Sequence, residues 1–280
     1  MKMKKLFSVL IALLLVCTGT SCVGQGSAAS RLPWQKGPVT VKLGSNASLQ
    51  VPEGYMFLDP AGTRAFNEMT QNPASNVDEY TFANREEGWV AYFSYEDTGY
   101  IKDDEKIDAD AILANIRTGT EAANKERRSR GWGEMNILGW SAKPEYDSQL
   151  KSLTWSILGE NQTTHEKVVN YNARLLGRHG VMDVVLVTVP DKLTAAIGDF
   201  KSRIGGFQFA PGETYGEYQA GDHVAAYGLA ALITGGAVAV AAKKGLFTVL
   251  GGFLLAAWKF VLAGLVAASA WLKSFFKKKT

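Results

Sequence analysis

At 280 residues, with 30 basic and 27 acidic side chains, the chain carries a formal charge of +3, but that sum joins three unlike compartments. The first 22 residues hold three lysines and no acid, and residues 223–280 hold seven lysines and no acid, so the intervening chain sets 20 bases against all 27 acids, a net of −7. A soluble part of that sign lacks the basic footprint of a DNA- or RNA-binding protein, and with Cys17 and Cys22 as the only cysteines a disulfide framework is excluded.

The chain opens on Lys2, Lys4 and Lys5, continues through an apolar run at 6–17 and leaves it on small residues, the pattern of a secretory signal over 1–22. Two exits compete. Ser27-Ala28-Ala29 offers a peptidase site, moving cleavage to about residue 29, whereas Gly19-Thr20-Ser21-Cys22 resembles a lipoprotein box without the usual Leu, which makes Cys22 a candidate lipidation site. Residues 23–38, rich in Gly, Ser and Pro, read as a linker.

A domain over 39–222 follows. Residues 39–43 and 47–51 alternate apolar and polar around Gly44-Ser45-Asn46 and predict a hairpin. A short helix is expected over 60–71 and an aromatic-rich strand over 88–95. Asp108 is placed to cap a long helix from Ala109 to Arg130, stopped by Gly131, with Ile112, Leu113 and Ile116 on one face. Strands are expected over 135–140, 150–158, 167–176 and 181–189, then a helix from Pro190 to Ile204 and a closing strand at 207–209. About seven strands joined mostly by short turns, with two or three helices, indicate an α+β domain with a largely antiparallel sheet covered by helices.

The acid-free end reads as a membrane anchor over 223–280. Residues 224–242 are 19 uncharged residues, about 28 Å as a helix and enough to cross hydrocarbon. Lys243-Lys244 close that span on the cytoplasmic side. On the helical wheel of the helix expected over 245–277, Lys259, Lys273 and Lys277, with Lys244 just ahead of it, fall within about 60° of one another. That face suits a helix lying in the inner leaflet with lysines toward anionic headgroups; a second span, with Lys259 packed against a partner helix, is the alternative.

Motifs for chemistry are few. His165, His179 and His223 have no metal-ligand spacing, and the acids Asp103, Asp104, Glu105, Asp108 and Asp110 do not follow a calcium loop. No nucleotide-binding glycine loop or nucleophile elbow occurs, so no catalytic residue, metal or cofactor is expected. Arg127, Arg128 and Arg130 beside Trp132 form a candidate contact for an anionic ligand, against the plainer reading of a solvated helix end.

Several segments taken in order carry a family resemblance: Gly99-Tyr-Ile-Lys-Asp-Asp104, the helix end Asn124, Arg127 and Gly131, Gly139-Trp140 with Pro144, Tyr146 and Asp147, Leu153 with Trp155, Val169-Asn-Tyr-Asn172, Leu175-Leu-Gly-Arg178, and Ala225-Ala-Tyr-Gly-Leu229. From about residue 36 to about 260 the chain resembles the bacterial membrane-anchored family known as domain of unknown function 2167. The resemblance implies an exported domain on a C-terminal membrane anchor and supplies no catalytic residues. The order of elements is also similar to PsbP- and Mog1-like sandwiches, which are mostly binding or assembly modules.

The resulting expectation is a non-enzymatic protein on the outer face of a bacterial cytoplasmic membrane, binding a ligand or an envelope protein, touching membrane lipid through its tail, with homo-oligomerisation open. Two alternatives stand beside it: an enzyme acting on cell-wall or lipid material, with Glu, Asp, Arg and Tyr converging in a pocket, and an oligomeric sensor worked by the tail.

Overall fold

The computed structural model describes residues 29–72, 77–84, 86 and 88–234. Within them an eight-stranded antiparallel sheet runs in the order β1-β4-β5-β6-β10-β9-β8-β7, beside a three-stranded sheet in the order β11-β3-β2. The strands are β1 (Gln35–Lys36), β2 (Val39–Leu43), β3 (Ala47–Val51), β4 (Met56–Leu58), β5 (Glu79–Asn84), β6 (Trp89–Glu96), β7 (Met135–Asp147), β8 (Ser152–Asn161), β9 (Lys167–Leu176), β10 (Val181–Thr188) and β11 (Phe207–Phe209). The α-helices are α1 (Pro60–Met69), α2 (Ala109–Ser129), α3 (Leu193–Ile204) and α4 (Leu229–Thr234). Two antiparallel runs, β4–β6 and β7–β10, meet where β6 pairs with β10. The α2 crossover carries the chain from β6 to β7 at the far edge.

The two central strands show why the sheet is covered on both sides. Along β10, Met182, Val184 and Leu186 join the core with the small sheet and α3, while Val185 and Val187 pack on the opposite side. Both faces are therefore apolar, and the strand reads as an almost unbroken hydrophobic run. Against the first face lie Leu43, Leu49, Phe82, Phe93 and Phe200. On the second face, α2 and α4 contribute Ile112, Ile116, Leu229, Leu232 and Ile233 over Leu153, Trp155 and Ile157. Local chemistry sets the helix starts. Asp59 accepts from Gly62 N at 2.8 Å ahead of Pro60, and Asp108 accepts from Asp110 N and Ala111 N.

Three expectations change. The linker at 23–38 is ordered structure from residue 29, since β1 pairs with β4 and Trp34 stacks edge-on against Phe66 at 5.7 Å. The strand begun at Met135 runs to Asp147, past register shifts against β8 that let it bend around α2. The apolar run at 224–242 begins inside the domain: Tyr100 N donates to His223 O at 2.8 Å, Ala225 N to Tyr100 O at 2.9 Å and Ala230 N to Glu105 Oε2 at 3.0 Å. Leu229, Leu232 and Ile233 are 1%, 3% and 3% exposed in the protein core. A Leu/Ala/Ile stretch satisfies a core and a bilayer equally, so its composition did not separate them. The rest of that run, 235–242, lies outside the described residues. Among those residues no helix is long and apolar enough to cross a membrane.

Candidate functional site

A cavity of about 530 Å³ opens on the second face of the large sheet, within the range of roughly 300–1,000 Å³ that small-molecule sites occupy. Its floor is laid by register. Ala83 lies opposite Val90 and Val90 opposite Val187, and Val168 of β9 completes it. Phe66 of α1, Met56 of β4 and the indole of Trp34 make one wall. That wall is held because Trp34 Nε1 donates to Ala29 O at 2.8 Å, folding residues 29–34 over the end of the sheet.

The polar groups at this cavity are mostly engaged elsewhere. Thr188 Oγ1 donates to Gly88 O at 3.3 Å, and Asn84 Oδ1 accepts from Glu86 N at 3.0 Å. Lys36 is the one charged residue in the described lining, and it is exposed at the rim. Lys192 is not part of the lining but lies beside Gly88, which is: a Cβ on Gly88 would sit 2.7 Å from the Lys192 Nζ. No carboxylate, histidine or cysteine belongs to the described lining. Such a surface can desolvate an apolar group; it has no acid–base pair to transfer a proton.

The strongly perturbed carboxyls sit elsewhere on the same face. Register places Glu79, Ser94, Asp183 and Arg174 in one row across β5, β6, β10 and β9. Arg174 Nε lies 2.8 Å from Asp183 Oδ1, with its guanidinium 4.8 Å from the centre of the Trp155 ring. Burial, opposed by Arg174 and reinforced by Glu96, pushes the Asp183 carboxyl up to about 8. Burial raises Glu96 as well, with Arg174 opposing. Tyr227, from the segment leading into α4, is pushed up to about 12 by burial and by the Glu96 charge. None of these groups lines the cavity.

The residues singled out from sequence separate in space. Arg127 is buried at 4% exposure and donates through Nη1 to Gln71 O and through Nε to Gly133 O. Arg128 pairs with Glu134 and Glu121, and Arg130 with Glu126 and Glu68 while lying 4.7 Å from the Trp132 ring centre. The three guanidiniums are thus drawn to carbonyls and carboxylates of the protein, which argues against a shared anion site. Asp103 accepts from Tyr146 OH and Lys151 Nζ, so the acidic run is partly built into the fold. Asp222, just ahead of the acid-free tail, makes a two-pronged pair with Arg178 at 2.7 and 2.9 Å, which holds its carboxyl down to about 2. Among the described residues no group of three or more His, Cys, Asp or Glu could hold a metal. Cys22, Lys244, Lys259, Lys273 and Lys277 lie outside the described residues.

Missing from the sequence reading were Trp34, Lys36, Met56, Phe66 and Val187. Trp34 alone carried a signal, as a large aromatic in a stretch otherwise made of turn residues.

The chain is similar at the level of backbone path to the cyanobacterial PsbP protein (CyanoP) of Synechocystis, with 12% identity, a TM-score of 0.37, and coverage of 64% of this chain and 94% of that one. It is also similar to the Ran-binding protein Mog1p of Saccharomyces cerevisiae, with 12% identity, a TM-score of 0.33, and coverage of 62% and 96%. A third similar structure is the type VI secretion immunity protein TplEi of Pseudomonas aeruginosa, with 10% identity, a TM-score of 0.24, and coverage of 71% and 87%. No curated protein sequence matches the chain. The family profile described as "Protein of unknown function (DUF2167)" matches residues 35–268, and the chain belongs to that family.

Proposed function

We propose that this is a non-enzymatic binding protein of the bacterial envelope. Its acidic α+β domain, a PsbP/Mog1-like sandwich, stands outside the cytoplasmic membrane and is held there by the acid-free C-terminal tail. The domain binds an apolar ligand in the cavity between α1, the folded-over segment 29–34 and the sheet. The observation that carries this reading is the pairing of an apolar cavity of about 530 Å³ with a described lining free of acids, histidines and cysteines. The carboxyls best suited to acid–base work lie in the row with Arg174, off the cavity, so they lend an enzymatic reading no support.

The test is a titration of a fragment spanning 29–234 with the neutral fluorophore N-phenyl-1-naphthylamine. Saturable binding at one site is expected. It should be lost in Ala83→Met, which fills the floor, with the circular dichroism unchanged. Absence of saturable binding, or equal binding by the filled variant, defeats the proposal. Outside labelling of a cysteine placed at exposed Leu150 in intact cells checks the orientation; protection there sinks the exported placement.

A further inference from the structure

We infer that the cavity takes an acyl chain whose anionic end rests between Lys36 and Lys192. This rests on the reading of the cavity as a binding site and specifies what enters it. The interior supplies aliphatic side chains and ring edges, with Val90, Val168 and Val187 below and Phe66 and Trp34 beside them. A ligand with polar groups along its body would lose water there without gaining partners, because the Thr188 hydroxyl and the Asn84 carbonyl are already bonded. The body of the ligand is therefore hydrocarbon.

The mouth is different. Lys36 from β1 and Lys192 from the turn after β10 are both exposed, and neither is ion-paired to a described carboxylate. The acids near this end in sequence are Glu86 and Glu87, in the β5–β6 turn, and Asp191, beside Lys192; Glu86 and Asp191 are exposed, and Glu87 lies outside the described residues. In a domain of net −7, an ammonium group in the lining and a second beside the lining residue Gly88, neither ion-paired to a described carboxylate, mark a place for a negative charge. A carboxylate or phosphate on an acyl chain combines the two requirements. A free fatty acid and an anionic phospholipid share that chemistry.

The experiment uses the full-length protein in phosphatidylcholine nanodiscs with three photoreactive probes carrying a diazirine in the chain. They are a fatty acid, the matching fatty alcohol, and a phosphatidylglycerol placed in the disc. Cross-linked peptides are mapped by mass spectrometry. The fatty acid is expected to label peptides containing Met56, Phe66 or Val187, and the double variant Lys36→Glu/Lys192→Glu to reduce that labelling about tenfold while leaving the alcohol unaffected. Cavity labelling by the phosphatidylglycerol assigns the bilayer as the source, and labelling by the fatty acid alone assigns a free acid; either supports the proposal. Cavity labelling that ignores charge reversal, or falls equally for acid and alcohol, overturns the anionic end and leaves the apolar site standing. Labelling confined to residues beyond 234 for all three probes overturns both. Ala83→Met serves as the filled control.

Discussion

Leu232 tests whether the start of the acid-free tail belongs to the domain. It lies on α4 at 3% exposure, in one cluster with Ile112, Ile116, Leu153 and Trp155. Leu→Ala at such a site loses the transfer energy of the removed carbons and leaves a cavity, together about 2–5 kcal/mol. With a urea m-value of about 2 kcal/mol/M, a loss of about 3 kcal/mol lowers the denaturation midpoint by about 1.5 M. The same substitution at Leu150, 73% exposed, supplies the control and should move the midpoint by less than about 0.3 M. Urea unfolding of the 29–234 fragment, followed by circular dichroism, compares the two. If Leu232→Ala shifts the midpoint no more than Leu150→Ala does, α4 is not packed on the sheet and the apolar run is free to enter a membrane from residue 224.

Asp183 predicts a pH dependence of definite sign. Burial and Glu96 raise its folded pKa above the ordinary carboxylate value near 4, so its contribution is fully present below about pH 4 and is lost as pH rises toward 8. The urea midpoint should fall between pH 5 and pH 8, and Asp183→Asn should flatten that fall; equal slopes in the two proteins contradict the assignment. Arg127 and Arg128 are neighbours in sequence with opposite expected costs. Arg127→Ala strips donors from Gly133 O and Gln71 O and opens the core, costing about 2–4 kcal/mol, whereas Arg128→Ala removes half-exposed pairs worth under about 1 kcal/mol. Thermal denaturation ranks them, and the reverse order removes the structural role given to Arg127.

The elements that were legible have local causes. The bounds of β9, the 39–51 hairpin and the Asp108 cap follow from alternation, a glycine turn and one capping carboxylate, each readable within a few residues. β5 was not read, since its alternation, Glu79 to Phe82, lasts only four residues before Ala83 and Asn84 break it. The cavity was illegible for a different reason. Its lining comes from β1, β4, α1, β5, β6, β9 and β10 together with the segment ahead of β1, and only the pairing of β6 with β10 brings Val90 to Val187. Arg127 looks like Arg128 and Arg130 in sequence; the phase of α2 alone turns it inward.

The most direct test of the binding claim is a 15N-resolved NMR titration of the 29–234 fragment with N-phenyl-1-naphthylamine. The account predicts saturable shifts confined to the Trp34 indole N–H and the amides of Ala83, Val90, Val168 and Val187, with Leu150 and Tyr218 unmoved. Shifts centred on Leu150 and Tyr218, or none that saturate, would contradict it.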